Sequence, residues 1–240
     1  MCAPRSARTP AAHAPGVPPH GARAARKRKR AAARRSPTAL TVRTSVAPCL
    51  CSLVGYPHEH IDVTLRRFSA ARKHKLLPAL DMLRAHVAWA GPAQIDLAAL
   101  RRAAPHDVLG VPPDKVRLVE TLFPHYHLGH DKEGRPITHI YGEHYAAQQL
   151  FALVPPERVG RFHVWRTERM LADMYARLAS GAAPAPPGQM AVVISVAGMS
   201  MRHVTKDFLA LVKLLSVVDQ NHYPERCGSA PVCGAASAAF

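Results

Sequence analysis

Gln220-Asn221-His222-Tyr223-Pro224-Glu225-Arg226 marks the point where the last helix predicted for this chain stops. Residues 201–218 carry apolar side chains at helical spacing, and Pro224, with no N–H to donate, cannot extend the ladder. Working back from that stop, residues 191–196 form a continuous apolar, β-branched run, the texture of a strand in the middle of a parallel sheet. A loop heavy in Ala and Pro, 181–188, precedes it. Before the loop, Pro155-Pro156-Glu157 opens a long helix to about Ser180, with Phe162, Trp165, Met170, Leu171 and Met174 as its predicted buried stripe. Ile137 to Tyr141 is a shorter β-leaning run, reached through the charged turn Asp131-Lys132-Glu133-Gly134-Arg135-Pro136, and is expected to be the first strand. The order strand, long helix, strand, long helix is that of a crossover unit, so the predicted class is α/β.

Upstream of the first strand the periodicity is helical throughout. Ile61, Leu65, Phe68 and Ala71 recur at three and four residues with Arg66, Arg67, Arg72 and Lys73 between them. Leu76, Leu80, Leu83, Val87 and Trp89 support a second helix, which Gly91-Pro92 ends. Asp96 is placed to cap a short helix through Arg102, and Pro112-Pro113 starts another that carries Val116, Val119 and Leu122 toward Pro124. The expected plan is a basic tail over residues 1–58, a helical module over 59–123, a sheet-containing domain over 124–226 and a second tail over 227–240 without regular structure.

The charge is concentrated at one end. The first acidic residue is Glu59, so of the net charge of +16 among 240 residues, eleven units sit in residues 1–58 and five in the rest. Such a segment buries too little apolar surface to offset its ordering entropy and is expected to be disordered in isolation. Its run Arg26-Lys27-Arg28-Lys29-Arg30 reads as a nuclear localisation signal, as a patch for nucleic acid or an anionic membrane surface, or as part of a mitochondrial or plastid transit peptide. These alternatives stay open. No apolar stretch reaches the roughly 18 residues of a transmembrane helix, so no bilayer-spanning helix is expected and a soluble or peripheral protein is; the cysteine usage makes a reduced, intracellular compartment the expectation. The five cysteines, Cys2, Cys49, Cys51, Cys227 and Cys233, all fall in the expected tails, an odd number that argues against a disulfide framework.

Five blocks in order now carry a resemblance. Leu65-x-Arg67-Phe68-x-x-Ala71-Arg72-Lys73 is followed by Pro124-x-Tyr126 with the Asp131 to Pro136 turn, by Glu157-Arg158 with Val164-Trp165-x-x-Glu168, by Gly198-Met199-Ser200, and by the opening heptapeptide. Together they resemble the CRAL-TRIO lipid-binding family, of the phosphatidylinositol/phosphatidylcholine transfer protein type, over residues 60–226. The resemblance implies an N-terminal helical module followed by a mostly parallel sheet with crossover helices, and an apolar cavity that holds one lipid. In the family a further strand, a gate helix and a Thr-x-x-Lys element follow the Tyr-Pro-Glu-Arg block, so the sheet is expected to be incomplete and the polypeptide truncated at its C-terminus. By resemblance, Arg72 and Lys73 match the basic pair facing an inositol headgroup, and Glu225, with Arg226 beside it, matches the carboxylate of the headgroup signature. Met190 and Val192 stand where family members place hydroxyl side chains toward phosphatidylcholine, which favours a phosphatidylinositol-type ligand.

The expectation is therefore a monomeric, non-enzymatic protein that binds a phospholipid and transfers it between membranes, with no cofactor and no metal. The alternative is an adaptor, or a protein that binds nucleic acid or an anionic surface through its basic tail. His125-x-His127-x-x-His130 offers imidazoles at a spacing that zinc could use, and Cys49-x-Cys51 is tighter than the ligand pairs of structural zinc sites. Neither is assigned a metal from the sequence.

Overall fold

The computed structural model describes residues 59–181 and 188–234. The basic run from Arg26 to Arg30 and the cysteines Cys2, Cys49 and Cys51 lie outside them. The helical part runs through α1 (Ile61–Ala70), α2 (Leu76–Ala90), α3 (Leu97–Arg102), α4 (Pro105–Leu109) and α5 (Val116–Leu122). Its caps are local and polar. Asp96, in the left-handed region at φ 49°, accepts a hydrogen bond from the Ala99 N–H at 3.0 Å, as the sequence suggests. Helix α4 follows at once, started by Pro105 and closed by Gly110 at φ 67°, with the Arg158 guanidinium lying where a side chain at Gly110 would have to sit.

The sheet follows. Strands β1 (His125–His130) and β2 (Pro136–Tyr141) pair antiparallel through the Asp131 turn, and then come α6 (Ala147–Leu153), α7 (Pro156–Ala179), β3 (Met190–Ser195), α8 (Lys206–His222), β4 (Cys227–Ser229) and β5 (Val232–Cys233). Strand β3 pairs parallel with β2 on one side and with β4 and β5 on the other. The β2, α6–α7, β3 succession is the expected crossover unit. Helix α8 begins later than its periodicity suggests: Met201–His203 is a 3-10 turn, and Thr205 caps the helix by accepting from the Phe208 N–H at 3.2 Å.

Three expectations need correction. The first strand is β1, not the 137–141 run, and the expected mostly parallel sheet is met only in part: β2, β3, β4 and β5 pair parallel, whereas β1 joins antiparallel and makes the sheet mixed. In addition, Cys227–Ser229 and Val232–Cys233 are strands, not a tail: the amides of Met190, Ile194 and Val196 donate to the carbonyls of Arg226, Pro231 and Cys233. The edge of β3 supplies these partners, and backbone groups that would otherwise go unpaired override the weak strand propensity of Gly, Ala and Ser. Cys227 and Cys233 therefore stand in strands, as exposed free thiols.

The apolar core is continuous from the helical part to the sheet. Phe68, Leu97, Leu100, Leu109, Val119, Phe123, Leu150, Val154, Val159, Phe162 and Leu211 are all at most 2% exposed within it. Of the stripe expected on α7, Phe162, Leu171 and Met174 are buried, whereas Trp165 and Met170 are only partly covered. Those two face a cavity.

Candidate functional site

The residues that make the sequence legible converge on one buried ionic cluster. Glu59, just ahead of α1, has a fully buried side chain and accepts hydrogen bonds from the Thr64 hydroxyl at 2.6 Å, from the guanidinium of Arg67, from the Tyr175 hydroxyl, and from Arg226 at 2.9 Å. Arg226 also donates to the Gly188 carbonyl at 2.9 Å, and Arg67 to the Pro224 carbonyl at 2.9 Å. Burial alone would raise the Glu59 carboxyl. The Arg226 charge, with the hydrogen bond and charge of Arg67, outweighs it and holds the group at about 2. A parallel arrangement fixes Tyr223: its hydroxyl donates to Glu168 at 2.7 Å, and Arg101 donates to the other oxygen of that carboxylate at 2.7 Å.

Between α7 and one face of the sheet lies a cavity of about 600 Å³. Period-two alternation puts Thr138 and Ile140 of β2, and Met190 and Val192 of β3, on its floor, while α7 supplies Trp165, Arg166 and Met170 from above. His125, His127 and His130 enter from β1, and Tyr223 and Arg226 close one end. The wall is thus apolar along β2 and β3 and polar along β1 and α7.

Arg166 dominates the polar side. Its guanidinium lies 4.4 Å from the Phe162 ring centroid and 5.2 Å from that of Phe123, and donates to the Phe123 carbonyl at 3.1 Å. It opens partly onto the cavity, yet burial brings its pKa down to about 10, with Glu120 supporting the charge from beyond ion-pair distance. No carboxylate among the described residues forms an ion pair with it. Burial, followed by the charges of Arg166 and His163, keeps His125 well below the ordinary imidazole value, so His125 is neutral. It is hydrogen-bonded to the Tyr145 hydroxyl, which burial holds in its neutral form. The cavity therefore presents a desolvated cation and a neutral imidazole beside an aliphatic floor.

Residues 121–239 match the family model of the CRAL/TRIO domain. Over that span the protein carries a CRAL/TRIO domain. Proteins of this family generally bind and transfer lipids or other small hydrophobic ligands rather than catalyse reactions. A crystal structure of Sfh5 is similar to the protein at 14% identity and a TM-score of 0.48, over 71% of this chain and 54% of Sfh5, so the chain spans about half the length of that solved relative. A search of curated proteins finds no significant match. No helix among the described residues is long and apolar enough to cross a membrane.

Within this CRAL/TRIO protein the candidate headgroup residues occupy two separate turns. Arg72 and Lys73 lie in the turn between α1 and α2, where Lys73 is exposed at φ 52° and Arg72 donates to the Ala71 carbonyl at 3.1 Å. Glu225 is exposed at φ 58° in the turn after α8, flanked by Tyr223 and Arg226, whose side chains reach the cavity. Arg226 itself is 3% exposed and bound to Glu59. The cavity residues Arg166 and Glu120, and Tyr145 bonded to the cavity residue His125, were missed from the sequence. An arginine on the apolar side of the α7 stripe, one position from Trp165, was the available signal.

Proposed function

We propose that this CRAL/TRIO protein binds one amphiphile with an anionic headgroup in the cavity between α7 and the sheet, phosphatidylinositol being the first to test, and carries it between membranes without catalysing a reaction. The observation that carries this reading is the composition of the cavity wall: Ile140, Met170, Met190 and Val192 against an acyl chain, and Arg166 without an ion-pair partner against a phosphate. Each buried methylene contributes on the order of 0.8 kcal/mol, so a single acyl tail supplies most of the affinity and the cation selects the headgroup. At roughly 30 Å³ per water-sized group the cavity holds about twenty of them. A two-tailed phospholipid has more than twice as many heavy atoms, so it would leave one tail outside or require α7 and the sheet to separate.

Arg72, Lys73 and Glu225 are proposed at the rim, where the inositol hydroxyls and a second phosphate would lie. The eleven basic residues of 1–58 hold the protein on an anionic membrane, at roughly 1 kcal/mol per basic residue near the surface. The decisive experiment is lipid extraction and mass spectrometry of the purified full-length protein, with phosphatidylinositol uptake from vesicles measured in Arg166→Met, Lys73→Ala and Glu225→Ala. A co-purifying anionic lipid and reduced uptake in the variants are expected. A protein that carries no lipid, or wild-type uptake in all three variants, sinks the reading. Liposome and oligonucleotide binding, measured with and without residues 1–58, separates a membrane role of the tail from a nucleic-acid one, because only loss of liposome binding alone supports the former.

A further inference from the structure

Three side chains at the mouth of the cavity belong neither to the buried ionic cluster nor to the apolar floor. His127 and His130 come from β1 and Asp173 from α7, and one nitrogen or oxygen of each lies within 4.8 Å of the others. His130 Nε2 is already 3.0 Å from Asp173 Oδ2, and the two imidazole rings stand edge to face with centroids 5.4 Å apart. All three line the cavity.

Their meeting depends on an irregularity in the strand. Residues 127 and 130 are an odd number of positions apart, so a regular strand would send them to opposite faces of the sheet. The register of β1 against β2 shifts between His127 and His130, and Gly129 within that interval sits at φ 90°, a conformation other residues rarely adopt. The bulge turns both imidazoles to the side where α7 places Asp173. Bulges that re-aim a side chain are characteristic of functional sites.

We propose that His127, His130 and Asp173 bind a divalent transition-metal ion of the zinc class. Two imidazoles and a carboxylate are the donors of three-ligand zinc sites that keep a fourth position open, whereas magnesium and calcium prefer all-oxygen cages. With metal–donor bonds of about 2.0–2.1 Å, tetrahedral donors lie roughly 3.4 Å apart. The His130–Asp173 pair, at 3.0 Å, needs to open by only a few tenths of an ångström, and the exposed ring of His127 has room to close the rest. The metal takes the place of the direct contact between His130 and Asp173 and ties β1 to α7 across the cavity mouth. Its open position faces the cavity, where water or an anionic oxygen of a bound amphiphile can complete the shell. The proposal does not rest on lipid binding.

The test is titration of the full-length protein with zinc chloride by calorimetry and with cobalt(II) by visible absorption, repeated on His130→Ala, Asp173→Asn and His127→Ala. One equivalent with the intense visible bands of tetrahedral cobalt is expected in the wild type. Each variant should weaken that equivalent by at least about tenfold, with the far-UV circular dichroism unchanged. A wild-type protein without the cobalt bands overturns the assignment. So does an equivalent that persists at the same affinity in the three variants, which would place the metal on other histidines.

Discussion

Two polar regions of this molecule meet at Arg226, and they treat charge in opposite ways. In the cluster around Glu59 the carboxylate is met by two guanidinium groups, a hydroxyl and a phenol, and even the guanidinium nitrogens reach backbone carbonyls. In the cavity wall, Arg166 lies against two aromatic rings with one carbonyl and, among the described residues, no paired carboxylate. The first arrangement ties the segment ahead of α1 to the turn after α8 and leaves its charges nothing further to bind. The second leaves a cation whose best partner has yet to arrive. Signature residues such as Arg67, Glu168, Tyr223 and Arg226 do the former kind of work, so their presence reports the architecture more directly than the ligand.

The sharpest way to break this contrast is Glu59→Gln, which strands Arg67 and Arg226 in a dry site. A loss of about 3–5 kcal/mol is expected from urea unfolding. Replacing all three by apolar residues of similar volume should recover much of it; if the single variant unfolds like the wild type, the cluster is not holding the turn. The same group sets an acid limit. Its folded pKa, about 2, lies below the ordinary 4.5, so the stability it contributes is present above about pH 4.5 and is lost as pH falls toward 2. Flat stability across that window in the wild type would contradict the burial of its charge.

Next in size is Arg166→Met. Phosphatidylinositol binding should weaken about tenfold, equivalent to about 1.4 kcal/mol, while unfolding changes by no more than about 1 kcal/mol because the hydrogen bond to the Phe123 carbonyl and the two ring contacts that are lost are offset by removal of a desolvated charge. The opposite ranking, intact binding with a large loss of stability, would make Arg166 a structural residue like Arg67. A smaller effect is expected at His222, whose ring stacks on Trp89 with centroids 3.7 Å apart and whose pKa burial brings down to about 4. A histidine depressed in the folded state contributes stability that is complete above about pH 6.5 and declines as pH falls toward 4. His222→Phe should therefore flatten the melting temperature between those values, and an unaltered pH slope would count against it. Least of all should follow from Arg84→Ala, which removes an exposed pair with Asp81 at 3.5 Å and should move stability by less than about 0.5 kcal/mol.

How legible each region is from the sequence follows from the same physics. The long helices α7 and α8 and strand β3 announce themselves through sustained apolar periodicity, and Asp96 and Pro156 mark helix starts by local chemistry. Strand β1 does not, because the alternation in His-Tyr-His-Leu stops at Gly129 and its apolar members Tyr126 and Leu128 stay exposed, so that its register is fixed by pairing with β2. Helices α4 and α6 are five and seven residues long, too short for a period to show. The ionic cluster is invisible for a different reason: Glu59 and Arg226 are 167 positions apart, and nothing near either predicts the other. Composition alone assigns the segment after Arg226 to solvent because its residues favour no element; the edge of β3 decides otherwise.

The two tryptophans of the protein happen to divide these regions between them. Trp89 stacks on His222 in the helical contact between α2 and α8, while Trp165 lines the cavity and donates its indole N–H to the Ala103 carbonyl at 3.0 Å. The molecule thus carries its own pair of optical probes, one blind to ligand and answering to acid, the other answering to whatever fills the interior. With either indole replaced by phenylalanine, emission from the survivor would read one region alone.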